Sequence, residues 1–198
     1  MLANGLYDVP PGKVAAVVTY LEMRAQAPLR PAQLSEGVVF KRVEQTDPTT
    51  YKDLFRRVGG INWLWFSRLT KSEAQISAIL SDPNVALYVL ESSGRSEGML
   101  ELDFRSRDEC ELAFFGLTSK LIGTGAGRYL MNQAIELAWS RQISRFHVHT
   151  CTLDHPAALS FYQRSGFTPV CQMIEIADDP RVLGLLPDTA GAHIPIFR

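Results

Sequence analysis

Cysteine is scarce: the 198-residue chain has only three, Cys110, Cys151 and Cys171, far apart and odd in number. They form neither a CxxC pair nor a disulfide framework, which argues against a stapled secreted scaffold and for a reducing compartment, with the cytoplasm as the expectation. Long apolar runs are missing too, and none approaches the roughly 20 residues of a membrane span. The short run "VAAVVTYL" near the N-terminus is stopped by Glu22 and Arg24, and reads as a structured segment rather than a leader. Charge of one sign is also absent. A formal net charge of -1 leaves no basic stripe for nucleic acid, so neither a nucleic acid nor a membrane is expected as partner. No internal repeat and no low-complexity segment interrupts the chain.

What is present suits a soluble α/β protein. With 46% hydrophobic residues, one domain over 1–198 can bury a real core. It divides into an N-terminal extension (1–36), a core (37–176) and a C-terminal tail (177–198) broken by Pro and Gly. In the extension, "KVAAVVTYLEM" suggests a strand, with a short helix as the alternative. "GVVFKRVE" (37–44) reads as a strand. Asp47 and Pro48 open a helix, and "TKSEAQISAILSDP" is a second helix capped by Thr70 or Ser72. "GINWLWFSRL" (60–69) reads as an aromatic loop. Residues 85–92, 98–105 and 109–117 look like consecutive antiparallel strands. A glycine-rich loop leads into a helix ending near Arg141. A strand (144–151), a helix (155–167) and a last strand from Thr168 complete a mixed sheet with helices on both faces.

The loop between strand and helix, with Gly123, Gly125 and Gly127, poses the functional question. A loop that opens a helix offers free amides and the positive end of the helix dipole, which together bind phosphate. Gly127, Leu130, Met131, Ala134 and Ala138 share one helix face, so the dipole is continuous. The GxxxxGK[ST] pattern of a nucleoside-triphosphate loop is absent, and the GxGxG spacing fits a dinucleotide site poorly. A tight connection with no ligand remains an alternative.

The surroundings carry a resemblance. "KLIGTGAG" resembles the Q/R-x-x-G-x-G/A signature of the GNAT N-acetyltransferase superfamily, with Lys120 where Gln or Arg is usual. "HPAALSFYQRSGF" is similar to the family's N-x-x-A-x-x-x-Y-x-x-x-G-F segment: His155 replaces Asn, while Ala158, Tyr162, Gly166 and Phe167 match. The resemblance spans roughly 37–176. It implies a GNAT-like fold, with a mostly antiparallel central sheet, and acetyl-CoA as cosubstrate. The pyrophosphate is then expected on Leu121, Ile122, Gly123, Thr124, Gly125, Ala126 and Gly127. The pantetheine arm is expected along Phe115, Gly116 and Leu117, where strands 109–117 and 144–151 splay apart. His155 is counted with the cofactor contacts, and Lys120 keeps a positive donor near phosphate.

Direct transfer of acetyl to an amine needs a neutral amine, a polarised carbonyl and a protonated leaving thiolate. By resemblance Tyr162 is the acid for the thiolate, and the Leu117 amide polarises the carbonyl. Glu111 is the candidate base, expected to share a strand face with Ala113 and Phe115; the alternatives are a solvated carboxylate near a strand end, or ordered water as the base. His147 and His149 lie two apart with no convincing third ligand, so no metal is expected and both read as satisfied or core histidines. Cys151 reads as a small buried residue. Asp154 is a candidate cap for the helix that follows. Trp63 and Trp65 either wall the acceptor site or cap the core. If they wall it, a small or aromatic amine fits better than a long basic tail. The acceptor is thus a small-molecule or peptide amine, and a homodimer stays open. The rival functions are a non-catalytic acyl-CoA sensor and a nicotinamide-dependent oxidoreductase.

Overall fold

The computed structural model describes residues 3–198; Met1 and Leu2, the start of the expected N-terminal extension, lie outside them. The strands are β1 (Lys13–Met23), β2 (Val38–Val43), β3 (Val85–Ser92), β4 (Arg95–Asp103), β5 (Glu109–Leu117), β6 (Arg145–Cys151) and β7 (Thr168–Asp178). The helices are α1 (Pro48–Phe55), α2 (Ile61–Trp63), α3 (Glu73–Leu80), α4 (Ala126–Trp139) and α5 (Ala158–Arg164), and a π-turn, Arg56–Gly60, joins α1 to α2. Local chemistry explains the helix starts. The Asp47 carboxylate accepts the Thr50 amide at 2.9 Å with Pro48 in the first turn. Ser72 and Gln75 form a reciprocal capping box.

The sheet runs β2-β3-β4-β5-β6-β1-β7. Its pairs are antiparallel except β5 with β6. The segment read as strand or short helix is therefore an interior strand. β1 pairs with β6 on one side and with β7 on the other, so part of the expected extension completes the sheet. Its β-branched alternation suits this, because Val14 and Ala16 enter one core layer and Leu21 and Met23 the other. β7 is an exposed edge, with Met173, Ile174 and Ile176 open to solvent.

Helices α4 and α5 cover one face, packing Leu130, Met131, Ala134 and Tyr162 with Leu102, Phe146 and Val148. The other layer gathers Tyr51, Phe55, Leu64 and Ile76 with Leu87, Val89 and Met99. At its centre Glu101 of β4 is fully buried. Its carboxylate accepts the Tyr51 hydroxyl at 2.5 Å and pairs with the Arg68 guanidinium at 2.5 Å. Arg68 also donates from Nε to the Tyr51 oxygen at 3.1 Å and lies 4.7 Å above the Phe114 ring. Burial pushes the Tyr51 phenol well above its usual range, so it stays a donor. This cluster fastens the end of the aromatic loop to the sheet.

The tail closes on a second buried pair. Arg181 meets Asp179 at 2.7 Å and donates to the carbonyls of Ala190 (3.1 Å) and Ile194 (2.8 Å). The Gly191 amide then donates to the Ile61 carbonyl at 2.8 Å, which braces α2 from outside. Removing one partner of a buried pair strands the other charge. Glu101→Gln should cost about 3–5 kcal/mol, read as a lower urea midpoint at unchanged slope.

Candidate active site

The site begins with one extra residue in β5. Glu101 opposes Phe114 and Leu102 opposes Leu112, so Ala113 is a bulge. A bulge bends its strand and switches the side-chain alternation. Glu111 therefore shares a face with Phe114, which lies in the Glu101 layer, whereas Phe115 packs with the α4 layer. The expectation that Glu111 and Phe115 share a face is corrected by that bulge.

β5 pairs with β6 only from Glu109–Arg145 to Glu111–His147. Beyond that β6 stays with β1 as far as Cys151, while β5 bends away with β4. The two strands splay, as expected, and a cavity of about 330 Å³ occupies the gap. Its walls include Phe114–Leu117 from β5, Val148, His149 and Cys151 from β6, and Tyr162 from α5. The Thr118 amide donates to the Glu97 carbonyl on β4 at 2.8 Å. Alternation then turns the Leu117 amide towards the gap.

The glycine loop borders the same cavity through Ile122 and Gly127. Gly125 caps α4 in a left-handed conformation (φ 90°) that side chains with a Cβ resist, and Gly123 shares it (φ 83°). Among the described residues, the amides of Ile122, Gly123, Gly125 and Gly127 have no protein acceptor. Free amides at the start of a 14-residue helix fit a pyrophosphate. The three other amides of the expected set are spoken for, since Leu121 N–H donates to the Thr118 carbonyl, Thr124 N–H to the Leu121 carbonyl and Ala126 N–H to the Thr124 hydroxyl oxygen. Lys120 at the loop's root lies 3.8 Å from the buried Glu97, which also accepts the Thr118 hydroxyl at 2.7 Å. The lysine thus anchors the loop as well as offering charge.

Tyr162 is 7% exposed, lines the cavity, and has no hydrogen-bond partner for its hydroxyl among the described residues. Desolvation, reinforced by the Asp154 charge, pushes its phenol far up, so it is protonated at neutral pH. Asp154 does not cap α5. Its carboxylate accepts the Trp65 indole N–H at 2.7 Å, the Thr150 hydroxyl at 2.7 Å and the Cys151 amide at 2.9 Å. His155 makes the local turn bond instead, its Nδ1 accepting the Ala157 amide at 3.0 Å. Its ring meets Trp63 edge-on at 4.9 Å, and both line the cavity.

Trp65 unites the two readings of the aromatic loop. It packs on Phe55 and Phe114 and also walls the cavity. It reaches that position because Gly59 has no side chain: a Cβ there would fall 1.9 Å from the indole.

The polar groups beside the cavity were only partly legible. Glu111 does not line it. Its carboxyl is held low by the His149 imidazole, 3.6 Å away, against the pull of burial. His149, expected to be a satisfied or core residue, is half-exposed and does line the cavity. His147 lies 3.6 Å from Glu109 and its pKa is lowered by burial. Nothing in the local sequence distinguishes these two histidines; the splay does. Among the described residues no group of three or more His, Cys, Asp or Glu could hold a metal, and no helix is long and apolar enough to cross a membrane.

Comparison with known proteins now decides the family. The profile of the acetyltransferase (GNAT) family matches residues 50–167. The chain belongs to the GNAT acetyltransferase family. Solved structures agree in fold. A GCN5-related N-acetyltransferase from Sphaerobacter thermophilus superposes with a TM-score of 0.62 at 14% identity, covering 86% of this chain and 53% of that one. A GCN5-related N-acetyltransferase from Kribbella flavida gives 0.51 at 15%, covering 85% and 60%. An aminoglycoside acetyltransferase from an uncultured soil metagenomic sample gives 0.52 at 14%, covering 67% and 90%. The chain thus spans about half the length of the Sphaerobacter protein. No curated protein matches it. As a GNAT protein it has a mixed, mostly antiparallel sheet, and its family and fold support acyl transfer.

Two outcomes follow from the packing. Gly59→Ala should displace Trp65 and cost about 1–3 kcal/mol by overpacking, seen as a lower denaturation midpoint with an altered near-ultraviolet circular dichroism spectrum. Burial pushes the Cys151 thiol up to about 11, so iodoacetamide at pH 8 should label the exposed Cys171 well before Cys151, as read by peptide mass spectrometry.

Proposed function

We propose that this GNAT protein moves an acetyl group from acetyl-CoA to a primary amine of a small molecule or peptide by direct attack. The observation that carries the reading is the cavity at the β5–β6 splay, bordered by the glycine loop, the open edge of β5, Tyr162 and the tryptophans. Acetyl-CoA, when bound, supplies the activated thioester. The free amides of the 121–127 loop hold its pyrophosphate at the α4 N-terminus. Along Phe115, Gly116 and Leu117, the backbone groups of Phe115 and Leu117 face the gap and are offered to the amide-bearing arm in the manner of an added strand, while Gly116 pairs with β4. The Leu117 amide polarises the reacting carbonyl.

Tyr162 donates its proton to the leaving sulfur. The burial that raises its phenol raises a buried thiolate by the same mechanism, so donor and acceptor stay matched. An ammonium must lose a proton near neutral pH, and on the other side of the splay the ionised Glu111, which stands behind His149 rather than in the cavity, assists that loss. Trp63, Trp65 and Phe114 favour a compact apolar or aromatic amine over a long basic tail. The absence of a dense acidic run supports the same choice.

Thermal unfolding with acetyl-CoA, CoA or NADPH, followed by turnover on phenethylamine, a lysine-containing peptide and an aminoglycoside, tests this. At about 100 times its dissociation constant, a ligand of the folded state adds roughly 2.7 kcal/mol, a midpoint rise on the order of 5–10 °C. Acetyl-CoA and CoA should give that rise and NADPH none. Tyr162→Phe should keep the rise while turnover falls about 10²–10⁴-fold. A rise with NADPH alone would overturn the reading in favour of an oxidoreductase. A rise with CoA but no turnover of any amine would leave an acyl-CoA sensor.

A further inference from the structure

We propose that His149 is the group that takes the amine proton, and that Glu111 is the carboxylate that orients it. This rests on the acetyl-transfer reading and goes beyond it by reassigning the base. Three observations carry it. First, His149 lines the cavity and Glu111 does not, so an amine in the cavity meets the imidazole first. Second, His149 Nδ1 lies 3.6 Å from Glu111 Oε1. That is an ion-pair contact rather than a short hydrogen bond, and it leaves Nε2 for a substrate. The Tyr20 ring on β1, 5.5 Å from the imidazole, limits its rotation on the other side. Third, His149 and Tyr162 stand on opposite sides of the sheet. His149 is in register with Tyr20, whereas Tyr162 packs in the layer of Leu21 and Val148. Direct attack needs this separation, because the amine loses its proton on one side of the carbonyl while the thiolate gains one on the other.

The surroundings suit a base that works near neutral pH. Glu111 on β5 raises His149 against burial, and Asp154 after β6 and Glu175 on β7 add to the effect. His147, the neighbouring imidazole on β6, lies outside the cavity and faces Glu109. Glu22 on β1 is engaged by Arg145 and Arg24. A half-exposed imidazole can also return its proton to solvent after each turnover.

The proton balance is simple. The ammonium gives one proton to His149 Nε2, the neutral nitrogen forms the bond to the acetyl carbon, and the carbon–sulfur bond breaks as Tyr162 protonates the sulfur. The acylated nitrogen sheds its second proton to solvent to become the amide, and the Tyr162 phenolate takes one proton back from solvent, so that one net proton leaves through His149. His149 must be neutral to act, so kcat/KM should rise with pH through a midpoint above the usual imidazole value.

The test is kcat/KM against pH from 5.5 to 10, with acetyl-CoA and phenethylamine or another amine of the panel that is turned over. Wild type should show the imidazole limb. His149→Gln should lose it, fall about 10²–10⁴-fold at pH 7, and recover towards pH 10 as the amine sheds its own proton. Glu111→Gln should keep the limb but move it to lower pH. His147→Gln, outside the cavity, should match wild type. All should keep the midpoint rise with CoA, which reads folding and cofactor binding apart from chemistry. A His149→Gln enzyme within twofold of wild type, with its limb in place, overturns the base assignment alone. Wild type that binds CoA yet turns over no amine overturns the acetyl-transfer reading itself. Imidazole titration by nuclear magnetic resonance gives an answer without turnover: identical His149 midpoints in wild type and Glu111→Gln would overturn the pairing.

Discussion

The parallel contact between β5 and β6 lasts only from Glu109 to Glu111, and the rest of the site depends on its ending there. Two constraints pull the strands apart. The Ala113 bulge bends β5 with β4, and β1 holds β6 on its far side through Cys151. A continuous ladder would have closed the gap and paired the backbone of Phe115–Leu117. The bulge also decides which side chains face which layer, turning Phe114 under Arg68 and Phe115 towards Tyr162. The cavity is therefore a consequence of strand pairing, and the residues around it are ordinary ones that pairing brings together.

The aromatic wall of the cavity is held from below by a buried ionic cluster. Glu101, Arg68 and Tyr51 satisfy one another, and Arg68 ends the loop that carries Trp63 and Trp65. Such a pair is a weak source of net stability, but its geometry is demanding. It fixes the loop's endpoint, while Asp154 fixes the Trp65 indole and the tail braces α2. The tail thus acts in this fold as a support for the aromatic loop.

Much of the fold was legible because local signals agreed with global packing. Asp47-Pro48, Ser72 with Gln75, and the left-handed glycines each mark an element boundary by their own chemistry. The glycine loop and Tyr162, which border one cavity, were legible through two motifs at a fixed separation. The candidate base was harder to see. Glu111 stands out in the sequence by its strand, but period-two alternation fails at a bulge, and the bulge has no local marker because Ala113 suits either conformation. His149 is hard to single out for a related reason. A histidine on a strand looks the same whether it faces a core, solvent or a cavity, and only the register β5–β6–β1 sets it beside Glu111.

By itself the sequence determined the family, most of the element order and the starts of α1, α3 and α4, because these rest on spacings of a few residues and on the backbone demands of Gly, Pro, Asp and Ser. The tertiary structure decided the rest. It placed β1 in the interior of the sheet, ended the β5–β6 ladder early, folded the tail under the tryptophans, and drew His149 and Glu111 together from strands far apart in the chain. The physical reason is the same in each case. Hydrogen-bond pairing and burial between distant segments set these positions, and no short stretch of sequence carries the identity of its partner.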